Sequence, residues 1–151
     1  MRIATFVAIL LTSLPLTAGA KAQEVTAYSV QAPFEEVSQD LGDAIINHGY
    51  KIDYHAFIGD MLKRTAKDVG AKKSLYKDAQ FMQFCSAVAS RQAMEADIGN
   101  IAFCPYVLFV YEAADDPGTV VVGFRRLPEG GGRDHINDLL DEIAREAAGE
   151  L

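Results

Sequence analysis

The chain has 151 residues, half of them hydrophobic, and a formal net charge of -7. That length suits one domain with a real core. An acidic chain repels phosphate backbones, so nucleic acid is not an expected partner.

Met1-Arg2 is followed by an apolar run over residues 3–16 and then by Thr17-Ala18-Gly19-Ala20-Lys21-Ala22. A positive start, an apolar stretch and alternating small residues mark a cleaved export signal. Both Ala18-Gly19-Ala20 and Ala20-Lys21-Ala22 fit the peptidase pattern. The second makes residues 1–22 the signal and Gln23 the first mature residue. The run is shorter than the roughly 20 apolar residues of a lasting membrane span. No cysteine stands directly after it in residues 17–23, which argues against a lipoprotein. Cleavage removes Arg2 and Lys21 and no acid, so the loss of two positive charges takes -7 to -9. The expected destination is the bacterial periplasm, or the extracellular space, without stable membrane insertion after cleavage.

Residues 24–30 alternate, with Val25, Ala27 and Val30 apolar, and predict a first strand. Pro33 opens a helix, with Glu35 and Glu36 in its first turn, where the helix dipole favours negative charge. Phe34, Val37, Leu41, Ile45 and His48 recur at helical spacing, and Gly49 stops the helix. Residues 50–57 predict a second strand with Tyr50, Ile52, Tyr54 and Ala56 on one face. A second helix over residues 60–69 is expected to bury Met61, Leu62, Thr65, Ala66 and Val69, and Gly70 ends it.

Residues 71–79 read as a basic, polar connection and 81–85 as a short third strand. A third helix begins near Ser86 and runs through Met94 and Ala96. Residues 102–111 are apolar almost throughout, which predicts a central strand. Asp115-Asp116-Pro117-Gly118 is a turn, and residues 119–124 return as the hairpin partner. Glu129-Gly130-Gly131-Gly132 reads as a hinge. Beyond it Ile136, Leu139, Leu140, Ile143, Ala144 and Ala147 form an amphipathic stripe, with Asp138, Asp141, Glu142 and Glu146 on the wet side. The expected fold is a single compact α+β domain of order βαβαβαββα, its helices packed on one sheet. Residues 23–128 make the domain proper, and 129–151 the glycine hinge and C-terminal helix.

Several segments taken together resemble domain-of-unknown-function family 302. They are Pro33-Phe34-Glu35-Glu36-Val37, His48-Gly49-Tyr50, Cys85, Ile98-Gly99, and Cys104 in a strand ending Val110-Tyr111-Glu112. The resemblance runs from about residue 28 to 128. It implies a compact α+β domain with helices against one sheet, and no definite activity. Some members of that family occur near sulfur-oxidation or electron-transfer functions. Cys85 is followed here by Ser86-Ala87 and Cys104 by Pro105-Tyr106, where the family carries asparagine beside its cysteines. A role resting on those asparagines does not carry over.

Cys85 and Cys104 are the only cysteines. In an oxidising compartment one reading is a structural disulfide. If their strands were parallel neighbours the sulfurs would sit at opposite ends, unless residues 98–103 climb back. The other reading is a thiol pair for redox or sulfur chemistry. Cys85 near a helix start favours the thiolate, and Pro105 follows Cys104, but no Cys-x-x-Cys is present. A third reading, a soft-metal or haem carrier, draws on Met82, His48, His55 and His135 beside the cysteines. None shows ligand spacing, and caps or surface positions explain the histidines. No metal or cofactor is assigned.

Glu35 and Glu36 point about 100° apart on their helix and serve its dipole. No nucleophile elbow, phosphate loop or dinucleotide fingerprint appears, so no catalytic residue is named. Lys63, Arg64, Lys67, Lys72, Lys73 and Lys77 concentrate positive charge in an acidic chain. They are either a solvated face or a docking patch for an acidic partner protein or the acidic C-terminal helix of a second copy. The ranking that results is a periplasmic binding or accessory protein first, a thiol protein second and a metal or haem carrier third.

Overall fold

The computed structural model describes residues 24–151. The expected export signal and its cleavage point lie outside them. Strand β1 (Val25–Val30) leads into helix α1 (Phe34–Asn47), then β2 (Tyr54–Ala56), α2 (Ile58–Thr65) and β3 (Tyr76–Phe84). Helix α3 (Ala87–Ala96) and a 3-10 helix (Ile98–Phe103) follow, then the hairpin β4 (Tyr106–Ala113) and β5 (Val120–Arg125), and finally α4 (Asp134–Ala147). The strands form one five-stranded antiparallel sheet in the order β1-β5-β4-β3-β2. The expected α+β order holds, and β4 is the central strand.

Pro33 stands one residue ahead of α1, and its carbonyl accepts from the N–H groups of Glu36 (3.1 Å) and Val37 (3.3 Å). Phe34, Val37, Leu41 and Ile45 are buried, as their spacing predicts. Gly49 takes a φ of +86°, a left-handed value that ends the helix at low cost. The C-terminal helix α4 packs beside α1 on the same face of the sheet. Its Ile136, Leu140, Ile143 and Ala147 join Leu41, Ile45, Leu108 and Phe124 in the main core cluster. The glycine run before it forms a bonded loop: Arg133 donates to the carbonyls of Pro128 (2.7 Å) and Glu129 (3.1 Å) and to Asn100 Oδ1 (2.8 Å).

Four local expectations are corrected. The second strand shrinks to three residues. On leaving α1 the chain must descend to the sheet, so Tyr50 stacks on Phe84 at 4.8 Å and Ile52 packs against the core. Tyr54 faces the opposite way and is exposed. The third strand starts at Tyr76, because residues 76–80 pair with β4 despite the polar Lys77, Asp78 and Gln80, across an irregularity between Tyr76 and Asp78. The central strand begins at Tyr106, because residues 98–103 wind into the 3-10 helix, capped by Asp97 accepting from the Gly99 N–H at 2.9 Å. Finally, α2 does not bury its expected face. The helix ends at Thr65 and not at residue 69; Met61 is 38% exposed, Val69 in the turn beyond is 74% exposed, and the buried residue of α2 is Gly59. A Cβ at Gly59 would lie 2.8 Å from the Ala79 nitrogen, so the start of α2 sits backbone against backbone on β3.

The β4–β5 hairpin is closed by a buried carboxylate. Glu112 Oε1 accepts from the Gly118 N–H at 2.8 Å and from Lys77 Nζ at 3.0 Å. Those bonds, the Gly118 N–H foremost, hold the carboxyl below its ordinary value, outweighing the opposing effect of burial. A depressed folded pKa means the stabilisation is full above the unfolded carboxylate value and is lost as pH falls through the folded one. Thermal melts of wild type and Glu112→Gln should therefore differ by a steady amount above the unfolded carboxylate value of about 4.3 and converge as the pH falls below it. A gap that did not shrink at all on acidification below that value would refute the assignment.

Candidate functional site

Two regions carry the residues singled out by sequence, at opposite ends of β3. Phe84 pairs with Tyr106 in the antiparallel ladder, so the neighbouring Cys85 and Cys104 emerge at one end of the sheet. Helix α3 leads away from that end and the 3-10 helix returns to it. The two sulfurs lie at bonding distance, with Cα atoms 6.4 Å apart, inside the range that a disulfide spans. Both cysteines are half-buried. Ser90 Oγ lies 3.9 Å from Cys104 Sγ and 2.8 Å from the Tyr106 hydroxyl, and Ser86 caps α3 by accepting from the Ala89 N–H at 3.2 Å. The bridge thus closes the base of the excursion formed by α3 and the 3-10 helix.

The soft-ligand residues named beside the cysteines are dispersed. Met82 is buried in the core beneath α1. His48 Nε2 bonds Glu146 at 2.9 Å, His55 Nε2 bonds Gln80 Oε1 at 2.7 Å, and His135 Nε2 lies 3.4 Å from the Ala89 carbonyl.

The basic run divides in three. Lys63, Lys72 and Lys73 line a cavity of about 460 Å³ between α2 and residues 71–76. Its remaining walls are largely apolar, among them Leu62, Ala66, Val69 and Leu75. Lys63 Nζ lies 3.4 Å from Asp78, whereas Lys72 and Lys73 form no ion pair among the described residues. Arg64, on α2, and Lys67, in the turn beyond it, are exposed and do not line the cavity. Lys77 turns to Glu112 and leaves the group. The cavity exists because α2 docks through Gly59 at its start, while the apolar side chains of its later turns stop short of a packed core. Sequence reading found the lysines but took Leu62, Ala66 and Val69 for buried core. The signal available was the coincidence of that apolar stripe with a lysine-rich run. Along β3 the cavity and the cysteine pair are separated by roughly 25 Å, at about 3.3 Å per residue.

An antiparallel sheet with its long helices on one face and a cysteine pair at one end defines a small α+β domain. A family model described as domain of unknown function DUF302 matches residues 26–149, and the chain belongs to that family. The fold is similar to the crystal structure of an uncharacterized conserved protein DUF302 from Bacillus stearothermophilus. The TM-score is 0.67 at 14% sequence identity, covering 83% of this chain and 99% of that one. No match was found among curated proteins.

Proposed function

We propose that this protein is an exported binding or accessory module that takes an amphipathic anion into the α2 cavity. The observation that carries the reading is an apolar cavity edged by Lys72 and Lys73 in a chain of net charge -7. A volume of about 460 Å³ lies in the range of small-molecule sites. Its apolar walls suit a hydrocarbon body, and the ammonium groups of Lys72 and Lys73, without a carboxylate partner among the described residues, suit an anionic head. Export is supported by the signal-like residues 1–22 and by a cysteine pair at bonding distance, which persists in oxidising compartments. Among the described residues no helix is long and apolar enough to cross a membrane.

The test is calorimetric titration with dodecanoate and with the uncharged dodecanol. Dodecanoate should bind with a Kd in the micromolar range, about −8 kcal/mol, and dodecanol at least about tenfold more weakly. Lys72→Glu combined with Lys73→Glu should weaken dodecanoate by about tenfold or more and leave dodecanol unchanged. Equal binding of the two compounds, or none of either, overturns the reading.

A second reading, thiol-based redox or sulfur handling, draws on the half-exposure of Cys85 and Cys104 at a strand–loop junction. Its consequences differ from those of a structural bridge in both stability and reduction potential.

A further inference from the structure

Two cavities flank α2. The one with Lys72 and Lys73 at its edge measures about 460 Å³, and a second, of about 220 Å³, opens among Ile58, Phe81, Phe109 and Tyr111. Two features stand between them. One is the start of α2, where Gly59 on the larger cavity presses backbone against backbone on Ala79 of the smaller. The other is Tyr76, the one residue among those described that lines both. Its half-buried ring meets Tyr111 edge-on, with centroids 5.5 Å apart, and Tyr111 stacks in turn on Phe109 at 6.1 Å. The strand irregularity is what aims this ring. Strict alternation would place Tyr76 and Ala79 on opposite faces of β3. The irregularity between Tyr76 and Asp78 lets them pair with Ala113 and Tyr111, which share one face of β4.

We propose that Tyr76 is the end wall of the α2 cavity and sets the length of the anion that the cavity takes. The inference rests on the α2 cavity being the ligand site, and it names the substrate class there as a medium-chain alkyl anion. The backbone fixes the distance from head to wall. Tyr76 follows Lys72 by four residues, which span at most roughly 14 Å. An extended alkyl chain advances about 1.25 Å per carbon, from C–C bonds of about 1.5 Å, so roughly ten to twelve carbons reach the ring. Each methylene buried short of the wall improves affinity by about fourfold. A longer tail meets the ring and leaves its last carbons in water, where they add nothing. Of the two features between the cavities, only Tyr76 is a side chain. Removing its ring therefore joins the cavities and opens the aromatic cleft to the tail, while the contact of Gly59 with Ala79 stays in place.

The experiment is calorimetric titration of the purified protein with octanoate, dodecanoate and hexadecanoate, each below its micelle-forming concentration. Far-UV circular dichroism checks the fold of each variant. In wild type, affinity should rise by at least about thirtyfold from octanoate to dodecanoate and then stay level, within about threefold, to hexadecanoate. Tyr76→Ala should raise the preference for hexadecanoate over dodecanoate by at least about tenfold. Should that variant disturb the fold, Tyr76→Leu keeps an apolar residue at the strand start, still removes the ring and should shift the preference the same way. A wild-type profile that keeps climbing to hexadecanoate overturns the role of Tyr76 and leaves the cavity as the site. A level profile that the folded variants do not change does the same. Failure of all three anions to bind overturns the cavity reading itself, and this inference with it.

Discussion

Replacing Leu140 with alanine is expected to cost about 2–5 kcal/mol, the range for deleting a leucine side chain from a packed core. Leu140 is fully buried, in the cluster that joins α4 to Leu41 and Ile45 of α1 and to Leu108 and Phe124 of the sheet. Little can collapse into the space left behind, because the cavity is bounded by two helices and a sheet. For a domain of this size the loss corresponds to a fall in Tm of roughly 8–20 °C. Urea and thermal melts would measure it, with Ile46→Ala as the control. Ile46 lies on α1 but is 57% exposed, so its truncation should stay within about 0.5 kcal/mol. Equal losses for the two variants would mean that α4 does not dock as described.

Replacing both Cys85 and Cys104 with serine is expected to cost about 3 kcal/mol if the bridge is a structural staple. The two residues are 19 positions apart, and a closed loop of that length removes about 3 kcal/mol of unfolded-state entropy. The loss arises in the unfolded chain, so the native β3–β4 ladder does not substitute for it. The folded double variant should show wild-type circular dichroism at room temperature and a Tm lower by roughly 9–15 °C. A titration against glutathione adds the second axis. A structural bridge resists reduction, with a potential below about −300 mV, whereas a functional pair reduces within the glutathione range. A small stability loss combined with ready reduction would turn the assignment toward thiol chemistry. A large loss with a low potential would close that route.

The legible parts of this fold were those with strong periodicity. Phe34, Val37, Leu41 and Ile45 in α1, and Ile136, Leu140 and Ile143 in α4, recur at the spacing that places one stripe against a core, and all are buried. The run through Val107, Leu108, Phe109 and Val110 marked the central strand correctly, because only a centrally placed strand carries apolar side chains on both faces. Boundaries failed where local composition and pairing disagreed. Lys77, Asp78 and Gln80 read as loop, yet β4 offers their backbone a partner, and ladder hydrogen bonds outweigh a polar composition.

Half of the candidate cavity was visible in sequence and half was hidden. Lys63, Lys72 and Lys73 stood out by charge, but the apolar walls were indistinguishable from core residues. Whether Leu62 and Ala66 pack tightly or border a cavity depends on how closely α2 approaches the sheet. Gly59 against Ala79 sets that approach, a contact across twenty positions that no local pattern encodes.

By itself the sequence determined the element order, the core stripes of α1 and α4, the family and the presence of a lone cysteine pair. These depend on periodicity, turn chemistry and residue identity within a short window, where the physics is local. Only the tertiary structure decided that β3 and β4 run antiparallel, and therefore that Cys85 and Cys104 meet at one end of the sheet. It also decided which face of that sheet the helices cover. Strand direction and sheet coverage arise from long-range pairing and docking, whose free energy is shared among residues far apart in the chain.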